Sequence, residues 1–187
     1  MTVGVLVLAA GFSRRFGSDK RLHEIAPGRP LLQATLETII ESGLPCRVCI
    51  RQEDVDLAAV LSRLELEVLY CKNAEQGMGA SLAEGVGYCD DWDGTLVVLG
   101  DMAWVQETTY GNLAAALSED TIVQPVCDDK PGNPVGFGRQ FYPALRALEG
   151  DVGGRDILGQ NPDSVVPVRV EDTGIHRDID LPEDPCD

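Results

Sequence analysis

The sequence predicts an α/β fold, with helices covering both faces of a mainly parallel sheet. Two observations carry that prediction. Apolar strand-like runs alternate with helix-period runs from the first residues onward, the pattern of successive βαβ units. The strand runs are also apolar almost throughout, as in Thr95-Leu-Val-Val-Leu-Gly100, which suits strands buried on both faces. Right-handed crossovers are expected between them.

Taken in order, strands are expected at 2–9, 46–51, 66–71, 95–100 and 121–126. Helices fall near 30–43, 54–64, 78–88 and 106–118 between them. After residue 127 the rhythm changes. The segment Asp128-Asp-Lys-Pro-Gly-Asn-Pro134 is rich in turn formers, and 135–138 is short and extended. Helices then fit 142–148 and 153–160, while 165–170 and 175–180 read as late strands, an antiparallel addition that makes the sheet mixed. The acidic tail, 181–187, is expected to be loose. With 187 residues, no internal repeat and no long linker, the chain reads as one domain, against a prior of about 150 residues per domain.

The composition, 44% apolar and 25% charged, excludes a disordered or collagen-like chain. No apolar run approaches the ~20 residues of a membrane-spanning helix, and the first strand runs into Gly11 rather than a cleavage site, so a soluble cytoplasmic protein is expected. The net charge of −16 is unevenly placed. Residues 1–51 carry seven Lys/Arg against four Asp/Glu, and the remainder carries eight against twenty-seven. Such a surface repels polyanions, which argues against general nucleic-acid binding, yet a small phosphate ligand needs only a local positive pocket. The basic first third can supply one.

Six cysteines at irregular spacing, in a chain large enough to fold without staples, read as free thiols. Cys46 and Cys49 form a C-x-x-C, but in a strand residues three apart point to opposite faces. That argues against a redox or zinc pair.

The most informative stretch is Leu8-Ala-Ala-Gly-Phe-Ser-Arg-Arg-Phe-Gly-Ser-Asp-Lys20, a buried strand ending in a glycine loop that bears cations. Open α/β sheets bind ligands beyond the carboxyl ends of their strands. Gly11 and Gly17 let backbone N–H groups approach a phosphate, and Arg15 and Lys20 can neutralise a polyphosphate. Neither a Walker loop nor G-x-G-x-x-G is present, because five residues separate Gly11 from Gly17 and Ser18 follows. Asp101 closes the buried run 95–100, where a carboxylate can hold magnesium against a triphosphate or simply cap a turn.

The string L-A-A-G-x-S-x-R-x-G-x-x-K closely resembles the opening signature of the MobA-like nucleotidyltransferases, especially molybdenum cofactor cytidylyltransferases. Further similarities run in family order: Gly28-Arg-Pro-Leu31, Asn73 with Gly77-Met-Gly-Ala-Ser81, Gly100-Asp-Met102, Gly132-Asn-Pro-Val135, Gly150-Asp-Val-Gly-Gly-Arg155 and Asp178-Ile-Asp-Leu-Pro-Glu-Asp184. They cover nearly the whole chain. The resemblance implies a three-layer α/β/α, Rossmann-like nucleotidyltransferase domain with a mixed, mainly parallel sheet. It implies transfer of CMP from CTP to the phosphate of molybdopterin, with a molybdoenzyme as client.

It also implies roles. Leu8, Ala9, Ala10, Gly11, Ser13, Arg15 and Lys20, with Asn73, Gly77 and Ser81, would form the nucleotide pocket. Arg15, Lys20 and Asp101 would be catalytic. Asp101 would hold Mg2+ with Asp178 or Asp180, which share one face if 175–180 is extended; His176 shares it by parity, although a lone histidine near a strand is more often structural. Asn133, Pro134, Gly153 and Arg155 would meet the acceptor, Arg155 through its phosphate.

Two departures stand out. Ala103 replaces the proline usual after Gly-Asp-Met, and Asn133 replaces the histidine often found before Pro134, which bears on the acceptor. Ala10 before Gly11 resembles the CTP-using branch, where the GTP-using branch reads Leu-Ala-Gly-Gly. The rivals are a molybdopterin guanylyltransferase, a cytidylyltransferase acting on another phosphorylated acceptor, and a nucleotide-binding partner that delivers cofactor without turnover.

Overall fold

In the computed structural model, residues 1–13 and 16–179 are described. Arg15, Asp180 and the expected loose tail at 181–187 lie outside the described residues. The elements run β1 (Val3–Leu8), β2 (Glu24–Ala26), β3 (Arg29–Pro30), α1 (Leu31–Glu41), β4 (Cys46–Arg51), α2 (Val55–Arg63), β5 (Glu67–Cys71), α3 (Met78–Val86) and β6 (Gly94–Leu99). They continue α4 (Glu107–Ala116), β7 (Ile122–Cys127), β8 (Lys130–Pro131), β9 (Val135–Gly138), α5 (Tyr142–Arg146), α6 (Arg155–Gln160) and β10 (Val165–Arg169). The five early strands and four early helices form where periodicity places them, within two residues at each end.

The main sheet has the order β10-β7-β9-β6-β1-β4-β5, with β8 hairpinned onto β7. The strands β5, β4, β1 and β6 are parallel, and β9 runs antiparallel between β6 and β7. The mixed sheet is therefore as expected, but its antiparallel member is not the late strand. The hairpin at β8 reverses the chain and returns 135–138 antiparallel, whereas 165–169 arrives through a helical crossover and pairs parallel to β7.

The expected strand at 175–180 is absent: 173–176 is a 3-10 turn, and 177–179 is not a strand. Local turn chemistry overrides the alternation. Asp172 Oδ1 accepts from the Gly174 N–H at 2.9 Å, and Gly174 lies so close to the Trp104 carbonyl that a Cβ would sit 2.0 Å from it. The parity that put His176, Asp178 and Asp180 on one strand face is lost with the strand.

Helices cover both faces. Val3, Val5, Val7 and Ala9 pack with Leu36, Leu61 and Leu113 of α1, α2 and α4. Leu6, Leu8 and Ala10 pack with Leu82, Leu145 and Ile157 of α3, α5 and α6. Successive residues of β1 thus feed two cores, which is why its sequence reads as a continuous apolar run. Each leucine fully buried this way contributes about 1.5–3 kcal/mol before conformational entropy is counted. Cys46 packs against the first core and Cys49 lies in the second, so the C-x-x-C is split across the sheet. Burial pushes the Cys46 thiol up to about 12, leaving it protonated and unreactive near neutral pH.

From β1 the chain moves outward through β4 to β5, then returns to the other side of β1 as β6. The strand order reverses between β1 and β6. In doubly wound sheets the crevice beyond the carboxyl ends of such a pair is where ligands bind.

Candidate active site

That crevice is a real cavity of about 490 Å3, within the range of small-molecule sites. Its floor is the end of β1 and the glycine loop, Leu8 to Ser13 with Phe16, Lys20 and Arg21. One wall is Leu99, Gly100 and Asp101 at the end of β6, and the other is Ala74 to Met78 with Ser81. Register explains the meeting of distant residues. Leu8 lies opposite Leu99 in the ladder, and the Gly100 N–H donates to the Leu8 carbonyl at 3.0 Å.

Lys20 Nζ donates to Asp101 Oδ2 at 2.6 Å, with both side chains largely shielded from water. The other carboxylate oxygen, Oδ1, is buried and accepts no hydrogen bond among the described residues. Buried acceptors are ordinarily satisfied, so an unpartnered one at the lip of the cavity offers a position for a hard cation. The resemblance noted in the sequence implies magnesium, and an oxygen donor suits that ion. Among the described residues no three His, Cys, Asp or Glu converge, so most of an octahedron would come from phosphate oxygens and water. Asp178 is exposed and off the cavity wall; its neighbour Ile179 packs on Phe16 and Leu31 of that wall.

Next to the lysine in sequence lies a cluster that sequence reasoning missed. Arg21, the residue after Lys20, is buried and uses every guanidinium N–H. Nε and Nη2 donate to Asp19, Nη1 and Nη2 donate to Asp54, and Nη1 also reaches the Ala9 carbonyl at 2.9 Å. Arg51 completes it, donating to Asp54 through its backbone N–H and its guanidinium and stacking 5.0 Å from the Phe12 ring. Asp54 stands before α2, where it reads as a helix cap, yet its carboxylate makes no capping bond and serves the two arginines.

The Arg21 and Arg51 hydrogen bonds outweigh the cost of burial and hold the Asp54 carboxyl well below the usual carboxylate range; Asp19 is lowered chiefly by Arg21. A depressed folded-state pKa contributes stability that is full above the unfolded value near 4 and lost as pH falls through the folded one. Asp54→Asn should therefore be less stable than wild type at pH 7, and the difference should hold down to about pH 4 and shrink steadily from there toward about pH 2. Thermal melts across that range check this; a difference independent of pH would remove the cluster's ionic contribution.

The glycine wall differs from expectation. Helix starts favour anions, but the first N–H groups of α3 are occupied by the chain itself. Met78 N–H faces Asp151 Oδ1 at 3.3 Å, and Gly79 N–H donates to the Gly150 carbonyl at 2.9 Å. Gly77, at φ +121°, lies so near this loop that a Cβ would sit 2.6 Å from Gly150. Asn73 is off the cavity wall, donating to Glu84 and accepting from Gln76. Of the residues expected at the acceptor, Gly153 packs against Met78, Arg155 is exposed at the start of α6, and Asn133 and Pro134 precede β9 at the same end of the sheet. None of these four lines the cavity. His176 Nε2 is 3.1 Å from the Lys130 carbonyl and also lies off the wall.

Comparison with known proteins agrees with this geometry. The family described as "MobA-like NTP transferase domain" matches residues 5–165. Purine catabolism protein PucB of Bacillus subtilis is 29% identical, covering 97% of this chain and 93% of its own. Nicotine blue oxidoreductase of Paenarthrobacter nicotinovorans is 28% identical, covering 96% and 92%. Among solved structures, Rv0371c from Mycobacterium tuberculosis superposes with a TM-score of 0.83 at 24% identity, over 97% of this chain and 94% of that one.

Proposed function

Since the chain belongs to the MobA-like NTP transferase family, we propose that it transfers CMP from CTP to the phosphate of a molybdopterin-type acceptor, releasing pyrophosphate. The observation that carries this reading is the Lys20–Asp101 pair at the reversal point of the sheet, with Asp101 Oδ1 left unpartnered. The names of the two curated relatives do not specify nucleotidyl transfer, so the reading rests on the family and the cavity.

In this reading an oxygen of the acceptor phosphate attacks the α-phosphorus of CTP in line, and the bond to the bridging oxygen of the β-phosphate breaks. That nucleophile is already anionic near neutral pH, so no general base is needed. The cavity wall agrees, holding no histidine or cysteine among the described residues. The protein positions the reactants and supplies fixed charge. Lys20, with Arg15 of the same loop, neutralises the triphosphate, and the backbone from Gly11 to Ser13 approaches it. Asp101 would hold magnesium, aided by Asp178 or Asp180; the ion supplies charge stabilisation on the phosphates. Met78 and Asp151, on the far wall, would face the acceptor.

Preference for CTP rests on Ala10-Gly11. A buried base edge left unpaired by the wrong nucleotide makes discrimination large, so kcat/KM for CTP should exceed that for GTP by on the order of 10²-fold or more. A pyrophosphate-release assay crossing the four NTPs with molybdopterin and with sugar or alcohol phosphates tests this. Equal or better use of GTP moves the protein to the guanylyl branch, and turnover with another acceptor alone replaces molybdopterin. Tight nucleotide binding without pyrophosphate release with any acceptor overturns the transferase reading in favour of a delivery partner.

A further inference from the structure

We propose that Arg21 is a positioning residue for the triphosphate: a buried guanidinium that ties the glycine loop to the end of β1 and so aims the adjacent Lys20 into the cavity. The inference rests on the reading that Lys20 meets the phosphates, and goes beyond it by assigning what fixes that lysine.

The argument begins with donor satisfaction. An arginine side chain offers five N–H donors in a rigid fork. Arg21 spends all five on three chain segments that are otherwise independent: Asp19 of the loop, Asp54 at the β4–α2 junction and the Ala9 carbonyl at the end of β1. Asp19 also accepts the Arg21 backbone N–H at 3.1 Å, closing the 3-10 turn Lys20–Leu22 on itself. The Lys20 backbone is held from the other side, its N–H donating to Ser13 Oγ at 3.2 Å. With its backbone fixed at both ends, Lys20 can reach Asp101 across the crevice.

Stability alone is a poor reason for this arrangement. Two arginines and two carboxylates taken largely out of water cost several kcal/mol each in desolvation, and well-packed apolar side chains commonly do as well or better. A charged fork does differ from an apolar plug in geometry, since it fixes the distance and orientation of three segments at once. The cluster lies directly beside the cavity, and Arg21 itself forms part of the wall. Fixed geometry is what a phosphate site needs, because a misplacement of about 1 Å can cost on the order of 10²-fold in rate.

The test is a double-mutant cycle read on affinity for inorganic tripolyphosphate by calorimetry, using the full chain and well below each variant's melting temperature. Lys20→Ala should weaken binding by about 30-fold or more, and Arg21→Gln by about tenfold. If Arg21 acts through Lys20, adding Arg21→Gln to Lys20→Ala should cost less than about twofold more. A merely structural arginine gives the same loss in both backgrounds. Asp19→Asn, at the more accessible of the two carboxylates and with Arg21 still paired with Asp54, should show the same coupling and decides the matter if Arg21→Gln gives no cooperative melt. Undiminished loss in the Lys20→Ala background overturns the positioning role while the phosphate reading stands. Unchanged binding in Lys20→Ala overturns both.

Discussion

Lys20→Ala is expected to lower kcat/KM for nucleotidyl transfer by about two to three decades. A single desolvated charge-assisted contact to a developing charge is worth about 2–4 kcal/mol. Lys20 is placed to make one: its side chain is 14% exposed, and its ammonium sits in the crevice between the glycine loop and the end of β6. Without nucleotide the ammonium has another partner, Asp101 Oδ2. Triphosphate binding would therefore exchange one ion pair for another rather than trap a bare cation. The variant leaves the Asp101 carboxylate unpaired and should lose some thermal stability, but it should still melt cooperatively. Steady-state kinetics on the folded variant decide the matter. A kcat/KM within threefold of wild type would remove Lys20 from the phosphate site.

The parts of this site that were legible in the sequence are those fixed by strand ends. β1 and β6 are long apolar runs, so their carboxyl termini, and hence Gly11 and Asp101, could be located from the sequence; parallel pairing then brings them together across about 90 intervening residues. The late segment was not legible. Ile175 and Ile179 alternate as in a strand and both are buried, but Asp172 directs the backbone into a turn. Its Oδ2 meanwhile accepts from Gln106 N–H and Thr109 Oγ at the start of α4, 63 residues or more away in sequence. Nothing local announces such a remote cap. Arg21 was hidden for a similar reason. Beside Lys20 it reads as one more loop cation, and its partner Asp54 reads as an ordinary helix cap. Only the pairing of β1 with β4 brings the two together.

The 150–153 loop shows a third limit. Sequence chemistry identifies the start of α3 as an anion-favouring position, and it is one, but the group that occupies it belongs to the same chain. The Asp151 carboxylate and the Gly150 carbonyl take the first N–H groups. Gly77 and Gly79 permit that approach, since a Cβ at Gly79 would stand 2.3 Å from the Val152 carbonyl. The glycines of this wall therefore admit a loop of the protein as well as whatever ligand the cavity takes.

Asp101→Asn is expected to abolish measurable turnover while the fold persists. The side chain is nearly isosteric and sits at the end of β6, outside both cores, so packing is preserved. The change removes a negative charge from beside the phosphates and takes anionic donor character from Oδ1, the buried oxygen of Asp101 that has no partner among the described residues. Two measurements should then move in opposite directions. Manganese binding in the presence of CTP, followed by its paramagnetic signal, should weaken by at least about tenfold if Asp101 is a ligand, because ions of this kind are usually held by one or two carboxylates. Metal-free CTP should bind as well as wild type or better, because the amide no longer repels the phosphates and the Lys20 ammonium is released from its carboxylate. A neutral packing residue would move neither, and a lost structural anchor would weaken both. Asp178→Asn and Asp180→Asn, measured the same way, should separate a second ligand from its neighbour, since the true one alone shifts the metal curve. Unaltered manganese affinity in Asp101→Asn would take the metal away from the end of β6 and leave Asp101 only as the partner of Lys20.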